Sequence, residues 1–364
     1  MLRAARFLHA FARPAASSVR ASELRLEVGG AEVEASLYAP SAQRGPLPGW
    51  VVLHGITVSG RRHASLVRFA QALAASGGVV LVPDVPAWRA LTLGVGAADA
   101  TIAAGAQYLE ARADVAPGGV GVVGFSFGAT QALVAAADPA LAPAIRSVVG
   151  FGGYCELHRT LAFMATGEFA WRGALRRVEV DPYGRWIMAY NYLTRIPGFE
   201  RMHAAAEALG TLAREAGRSG APAWAAEYDV LKAELRAALS RAEQRVWDVL
   251  APPAGTALPD PDFARELARG VADAALAEHP SLDPRPILPR LRARTVLAHG
   301  RADRLVPFVE TLDLAALLPP AARPYAAVTG LFAHSAGAAG PRSLARAVEG
   351  VRFVRLLDQA LRPA

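Results

Sequence analysis

A chain of 364 residues, 53% of them hydrophobic, is too long and too apolar to be disordered; it suits one large α/β domain with an insertion, or two modest domains. Its formal net charge is +7, but Lys232 is the only lysine among 39 basic residues and the arginines are dispersed. The charge therefore reads as a bias toward Arg and Ala, as in a GC-rich genome, spread over solvated surface, and nucleic acid is not expected as a partner. Cys155 is the only cysteine, which excludes an intrachain disulfide, fits a cytoplasmic location, and reads as a buried, inert thiol.

Residues 1–21 read as an N-terminal extension. Arg3, Arg6, Arg13 and Arg20 surround Phe7, Leu8 and Phe11, and Arg13-Pro14 interrupts the stretch before it can form a secretory apolar region. A helix at the edge of the fold or a frayed terminus is expected there, with peripheral membrane contact as the alternative. No segment reaches the roughly 18 uninterrupted apolar residues of a membrane span.

From residue 23 strands alternate with helices. Leu24 to Val28 alternates apolar and polar, Gly29-Gly30 turns the chain, and Val33 to Tyr38 is the hairpin partner. Trp50 to Leu53 and Val79 to Val82 are continuous apolar runs, as in strands buried on both faces, with a helix at Ser65–Ala75 between them. A helix at Ala97–Ala111, a strand at Gly119–Gly124, a helix at Ala129–Ala137 and a strand at Ile145–Phe151 follow. The pattern resumes with a strand at Thr295–Ala298, a helix at Val309–Leu318, a strand at Tyr325–Val328 and a helix at Leu344–Leu361. Such alternation predicts an α/β fold, a mostly parallel sheet with helices on both faces and the starting hairpin at one edge.

The interruption, 158–288, reads as a large helical cap inserted into a core formed by 22–157 and 289–364. Trp224–Leu250 and Asp262–Ala277 are its clearest helices. Phe163, Met164, Phe169, Trp171, Trp186, Met188, Tyr190 and Tyr192 read either as an apolar pocket or as the cap's own small core. Arg172, Arg176 and Arg177 read as a solvated helix face, with an anionic substrate or a membrane surface as the alternative.

The strongest motif is Gly124-Phe125-Ser126-Phe127-Gly128, directly after a buried strand and directly before a helix. A serine on that strained turn presents its hydroxyl as a nucleophile, and side chains at either glycine would crowd neighbouring backbone. A serine needs a base. Of eight histidines only His334 lies between the last strand and the last helix, at the carboxyl edge of the sheet. The orienting carboxylate is expected from Asp303, in the loop His299–Pro307; Glu156 is the alternative acid, and Asp84 reads as a structural turn residue. An oxyanion hole is expected from the backbone N–H of Phe127 and that of Ile56, in the loop His54–Gly60. His54 is expected to pack or hydrogen-bond within that loop, and Thr57 and Ser59 read as exposed hydroxyls.

The Leu53-His54-Gly55 loop, the Gly124–Gly128 turn, the His299–Pro307 loop and His334 together resemble the α/β-hydrolase superfamily, in particular its dienelactone-hydrolase-like and prolyl-oligopeptidase-like esterases and peptidases. The resemblance covers about residues 22–157 and 289–362. It implies hydrolysis of an ester, thioester or amide through an acyl-enzyme, with Ser126, Asp303 and His334 as triad. A dienelactone hydrolase would carry cysteine at Ser126, so that activity is not implied. The expected substrate is a small acyl ester with an apolar acyl chain. No cofactor is expected, and no spacing of His, Cys, Asp or Glu resembles a metal site. Acyl transfer by the same residues, peptide cleavage and non-catalytic ligand binding on this fold are the other readings.

Overall fold

In a computed structural model of the chain, the described residues are 1–13, 18–43, 45–330 and 344–362, the side chains of 344–348 excepted. The strands are β1 (Val19–Val28), β2 (Ala31–Pro40), β3 (Gly49–Leu53), β4 (Val79–Pro83), β5 (Val120–Phe125), β6 (Ile145–Phe151), β7 (Glu168–Trp171), β8 (Ala174–Arg177), β9 (Arg294–Gly300) and β10 (Tyr325–Thr329). The helices are α1 (Leu2–Ala12), α2 (Ala64–Ala75), α3 (Pro86–Arg89), α4 (Ala97–Glu110), α5 (Phe127–Ala137), α6 (Leu157–Thr166), α7 (Tyr183–Tyr192), α8 (His203–Ser219), α9 (Asp229–Ala237), α10 (Arg241–Leu250), α11 (Pro261–Glu278), α12 (Val309–Leu317) and α13 (Leu344–Ala360).

Eight strands form one sheet in the order β1-β2-β4-β3-β5-β6-β9-β10. The β1–β2 hairpin is antiparallel and joins β4 antiparallel; every other pairing in the sheet is parallel. Each residue of β3 and β4 is buried, as their uninterrupted apolar runs require of strands covered on both sides. One face is covered by α4, α5 and α12, with Val51, Leu81, Val122 and Val148 meeting Ile102, Leu133 and Leu314. The other is covered by α1, α2 and α13, with Val52, Val80, Val149 and Val296 meeting Leu66, Leu73 and Leu357. The fold class expected from strand–helix alternation is the one found.

Residues 1–12 are built into that second layer. Ala4 and Phe7 of α1 are buried, Phe7 packs edge-on against Phe69 of α2 at 5.2 Å, and the N-terminal ammonium pairs with Asp358 of α13. The next strand begins at Val19, inside the stretch read as extension.

Between β6 and β9 lie α6 to α11, which share a large apolar cluster built around Trp186, Leu209, Trp247 and Leu267. Two local expectations are corrected. The segment is not all helical: β7 and β8 form a short antiparallel hairpin turned at Arg172-Gly173, both with positive φ. Arg176 and Arg177 lie exposed on β8, not on a helix. Trp224–Leu250 is not one helix either. It breaks between α9 and α10 at Ser240, whose hydroxyl accepts from the Glu243 N–H while the Glu243 carboxylate reaches back to the Ser240 N–H. That reciprocal cap satisfies two donors that a helix start leaves open, so a new helix begins there. Among the described residues no helix is long and apolar enough to cross a membrane.

Candidate active site

Ser126 stands between β5 and α5 with φ 54° and ψ −124°, a left-handed conformation that an L-residue adopts only under constraint. The constraint is visible in its neighbours. The Ser126 N–H donates to the Phe151 carbonyl of β6 at 2.7 Å. A Cβ on Gly124 would come 2.2 Å from the Gly128 carbonyl oxygen, and one on Gly128 would come 2.5 Å from that of His54. Both glycines are thus dictated by backbone contact. The Phe127 N–H opens α5, where a helix supplies it no acceptor.

The loop after β3 runs beside the serine. A Cβ on Gly55 would lie 3.2 Å from Ser126 Cβ and 3.3 Å from the Phe125 carbonyl oxygen. Only glycine allows the loop this close, and it brings Ile56 to the wall of the cavity in front of Ser126. Among the described residues neither the Ile56 nor the Phe127 N–H is hydrogen-bonded.

A buried polar network fixes this loop. The His54 Nε2 accepts from the Val85 N–H at 3.0 Å, so Nδ1, 2.6 Å from the Gly55 carbonyl oxygen, carries the proton and donates to it. Burial pushes the imidazole pKa down, and the ring is held neutral in that tautomer. Asp84 is the hub. Its carboxylate accepts the Arg61 N–H at 2.9 Å and pairs with Arg61 Nε at 3.3 Å and Arg89 Nη1 at 3.0 Å. Arg61, buried, also donates to Ser36 Oγ and Glu34, at 2.7 Å each, and to Glu23, tying the loop to the edge hairpin. Removing one member of such a buried set leaves an uncompensated charge, which typically costs about 3–5 kcal/mol. The sequence showed Asp84 as a turn residue but gave no sign of Arg61, whose partners are 23 to 38 positions away.

Asp303 follows β9, buried. Its Oδ1 accepts the N–H groups of Leu305 (2.8 Å) and Val306 (3.0 Å), and its Oδ2 lies 3.4 Å from His299 Nε2. The turn so held delivers Leu305 and Val306 to the cavity in front of Ser126. His299 is fully buried, with Nδ1 2.7 Å from Thr311 Oγ1 and Nε2 3.0 Å from the Val306 carbonyl. Glu156 caps α6: its carboxylate accepts the N–H groups of His158 and Arg159, both at 3.0 Å. Glu310, which the sequence did not single out, is buried at the start of α12. It accepts the Cys155 and Glu156 N–H groups at 2.8 Å and pairs with Arg159. Cys155 is itself buried, and burial with Glu310 alongside pushes its thiol pKa up to about 12. His334 lies outside the described residues. Among the described histidines none lines the cavity at Ser126.

That cavity has a volume of about 80 Å³. Ser126, Ile56 and Phe127 line it together with Leu157, Leu161 and Met164 of α6 and Ile187 and Met188 of α7. The aromatic-rich segment read either as pocket or as cap core divides between the two. Met164 and Met188 line the cavity, whereas Trp186 is buried in the cap cluster and donates to the Leu250 carbonyl at 2.8 Å, and Phe163 and Phe169 pack with Phe308. Tyr183, Thr160 and Leu93 also line it, and no motif marks them. No cluster of three or more metal-ligating side chains occurs among the described residues.

No protein-family model matches the chain, and no curated protein matches it in sequence. Solved structures do. The esterase Est22 superimposes with a TM-score of 0.51 at 13% identity, over 99% of this chain and 83% of that one. Est1E from Butyrivibrio proteoclasticus gives 0.48 at 12% identity, over 93% of this chain and 99% of that one. A brefeldin A esterase, described as a bacterial homologue of human hormone-sensitive lipase, gives 0.48 at 17% identity, over 99% and 82%.

Proposed function

We propose that on its α/β-hydrolase fold the chain is a serine hydrolase that cleaves a small carboxylic ester with a short, largely apolar acyl group. The observation that carries the reading is Ser126 itself: a non-glycine residue with φ 54°, at the carboxyl end of a central strand, lining a small, mostly apolar cavity. A backbone conformation of that kind costs on the order of 1–3 kcal/mol and persists where something requires it.

In this reading Ser126 Oγ attacks the acyl carbonyl while His334 takes its proton. Asp303 holds the imidazole tautomer and balances its positive charge. The N–H groups of Phe127 and Ile56 receive the oxyanion. His334 returns the proton to the departing alcohol, and water then attacks the acyl-enzyme by the same route, releasing the acid. Glu156 is the less suitable acid because its two oxygens are committed to the start of α6. Asp303 is favoured by its burial and by its place after β9, neighbouring the strand that leads toward His334.

Cavity size bounds the acyl group. A cavity of about 150 Å³ takes benzene. At about 80 Å³ the space here suits roughly four carbons, and speaks against long acyl chains and peptide side chains. The test is hydrolysis of p-nitrophenyl acetate, butyrate, octanoate and palmitate by the wild type and Ser126→Ala. Turnover falling steeply beyond butyrate, and absent in the variant, is expected. Equal turnover of palmitate would refute the size argument, and undiminished activity of Ser126→Ala would refute the nucleophile.

A further inference from the structure

Beside Ser126 the cavity is lined mostly by apolar side chains, with three further hydroxyls: that of Tyr154 donates to the Leu282 carbonyl at 2.8 Å, that of Tyr183 meets Thr57, and that of Thr160 is left unanswered. Thr160 of α6 is 1% exposed and lines the cavity, yet its Oγ1 has no hydrogen-bond partner. A helical threonine ordinarily bonds the carbonyl four residues back, as Thr166 does to Ala162 and Thr101 to Ala97, at 2.8 and 2.7 Å. Thr160 does not. Leaving a buried hydroxyl without a partner is unfavourable, and valine would fill the Thr160 position without that penalty. The fold therefore gives no reason for threonine, whereas a ligand entering the cavity would.

We propose that the acyl group this site accepts carries its own oxygen, as in a hydroxy- or oxo-substituted acid of about four carbons, and that Thr160 is a specificity-determining residue that hydrogen-bonds to it. The inference rests on the serine-hydrolase reading and narrows it. An unsubstituted chain leaves Thr160 as unpartnered as it is without ligand. An oxygenated chain answers it at the moment it desolvates its own polar atom. Discrimination from one such bond is about tenfold in kcat/KM.

The full chain is assayed with p-nitrophenyl esters of butyric, 2-hydroxybutyric and 3-hydroxybutyric acid, for wild type, Thr160→Val, Thr160→Ala and Thr160→Ser. The ratio of oxygenated to plain ester is the readout, corrected for spontaneous hydrolysis. In wild type one oxygenated ester is preferred about tenfold. Thr160→Ser keeps the preference, while Thr160→Val and Thr160→Ala lose it. No preference in the wild type, or a preference that survives both Thr160→Val and Thr160→Ala, overturns the proposal while leaving the hydrolase reading intact. A folded protein that turns over none of the three, and whose Ser126 reacts with no fluorophosphonate, overturns both.

Discussion

Gly128→Ala is the substitution whose consequence the geometry defines most sharply. The new methyl would sit 2.5 Å from the His54 carbonyl oxygen. Backbone oxygens and Cβ atoms rarely approach within about 3.0–3.4 Å, so the start of α5 and the loop after β3 must separate by roughly 0.5–0.9 Å. Those two segments carry the proposed oxyanion donors, the N–H groups of Phe127 and Ile56. Overpacking of this kind costs about 1–3 kcal/mol of stability, which a fold of this size survives. The effect on chemistry is larger. Loss of one oxyanion donor lowers kcat by about 10²–10³, and a misplacement approaching 1 Å is worth about 10². Gly55→Ala is the graded companion. Its methyl meets Ser126 Cβ at 3.2 Å and the Phe125 carbonyl oxygen at 3.3 Å, so shifts of a few tenths of an ångström suffice and a loss nearer tenfold follows. Steady-state kinetics on p-nitrophenyl butyrate, beside urea unfolding, should rank wild type above Gly55→Ala above Gly128→Ala in kcat, with KM little changed. A folded Gly128→Ala enzyme with wild-type kcat would refute the placement of the oxyanion hole.

Other outcomes follow from the same site. Asp84→Asn should destabilise the fold by about 3 kcal/mol in urea unfolding, because Arg61 and Arg89 lose a buried counter-charge; a change below about 1 kcal/mol would mean the network is solvent-screened. His54 should remain neutral, protonated on Nδ1, at pH 5.5 in nitrogen-15 NMR; titration near the ordinary value of about 6.5 would contradict its burial. The sign follows: with the folded pKa below the unfolded one, the unfolded chain binds the extra proton, so His54's contribution to stability is complete above about pH 6.5 and declines as pH falls below it. Cys155, with its pKa at about 12, should resist iodoacetamide at pH 8 in the folded protein and react once unfolded, and Cys155→Ser should retain ester turnover; rapid labelling of the native thiol would sink the assignment.

The sheet was readable because burial on both faces leaves a plain mark. Trp50-Val51-Val52-Leu53 and Val79-Val80-Leu81-Val82 admit no polar residue, and both are strands within a residue of the expected bounds. The Ser126 turn was readable because its glycines answer to backbone contacts only a few residues or one neighbouring loop away. The inserted segment was less so. Glu168 to Arg177 lacks the alternation of a half-buried hairpin since β8 is exposed throughout, and the break at Ser240 was hidden by apolar residues continuing at helical spacing. The Ser240–Glu243 capping pattern was present in the sequence and would have marked it. The cavity could not be read at all. It is assembled from residues between Ile56 and Val306, and the partnerless state of Thr160 is a property of the packing around it.

The measurement that bears most directly on the account is covalent labelling with a fluorophosphonate, mapped by peptide mass spectrometry, on wild type, Ser126→Ala and His334→Ala. One phosphonyl group on Ser126 in the wild type, none in Ser126→Ala and labelling slowed by about 10³ or more in His334→Ala is the result expected of a serine activated by that histidine. Labelling at another residue, or an undiminished rate in His334→Ala, would contradict it.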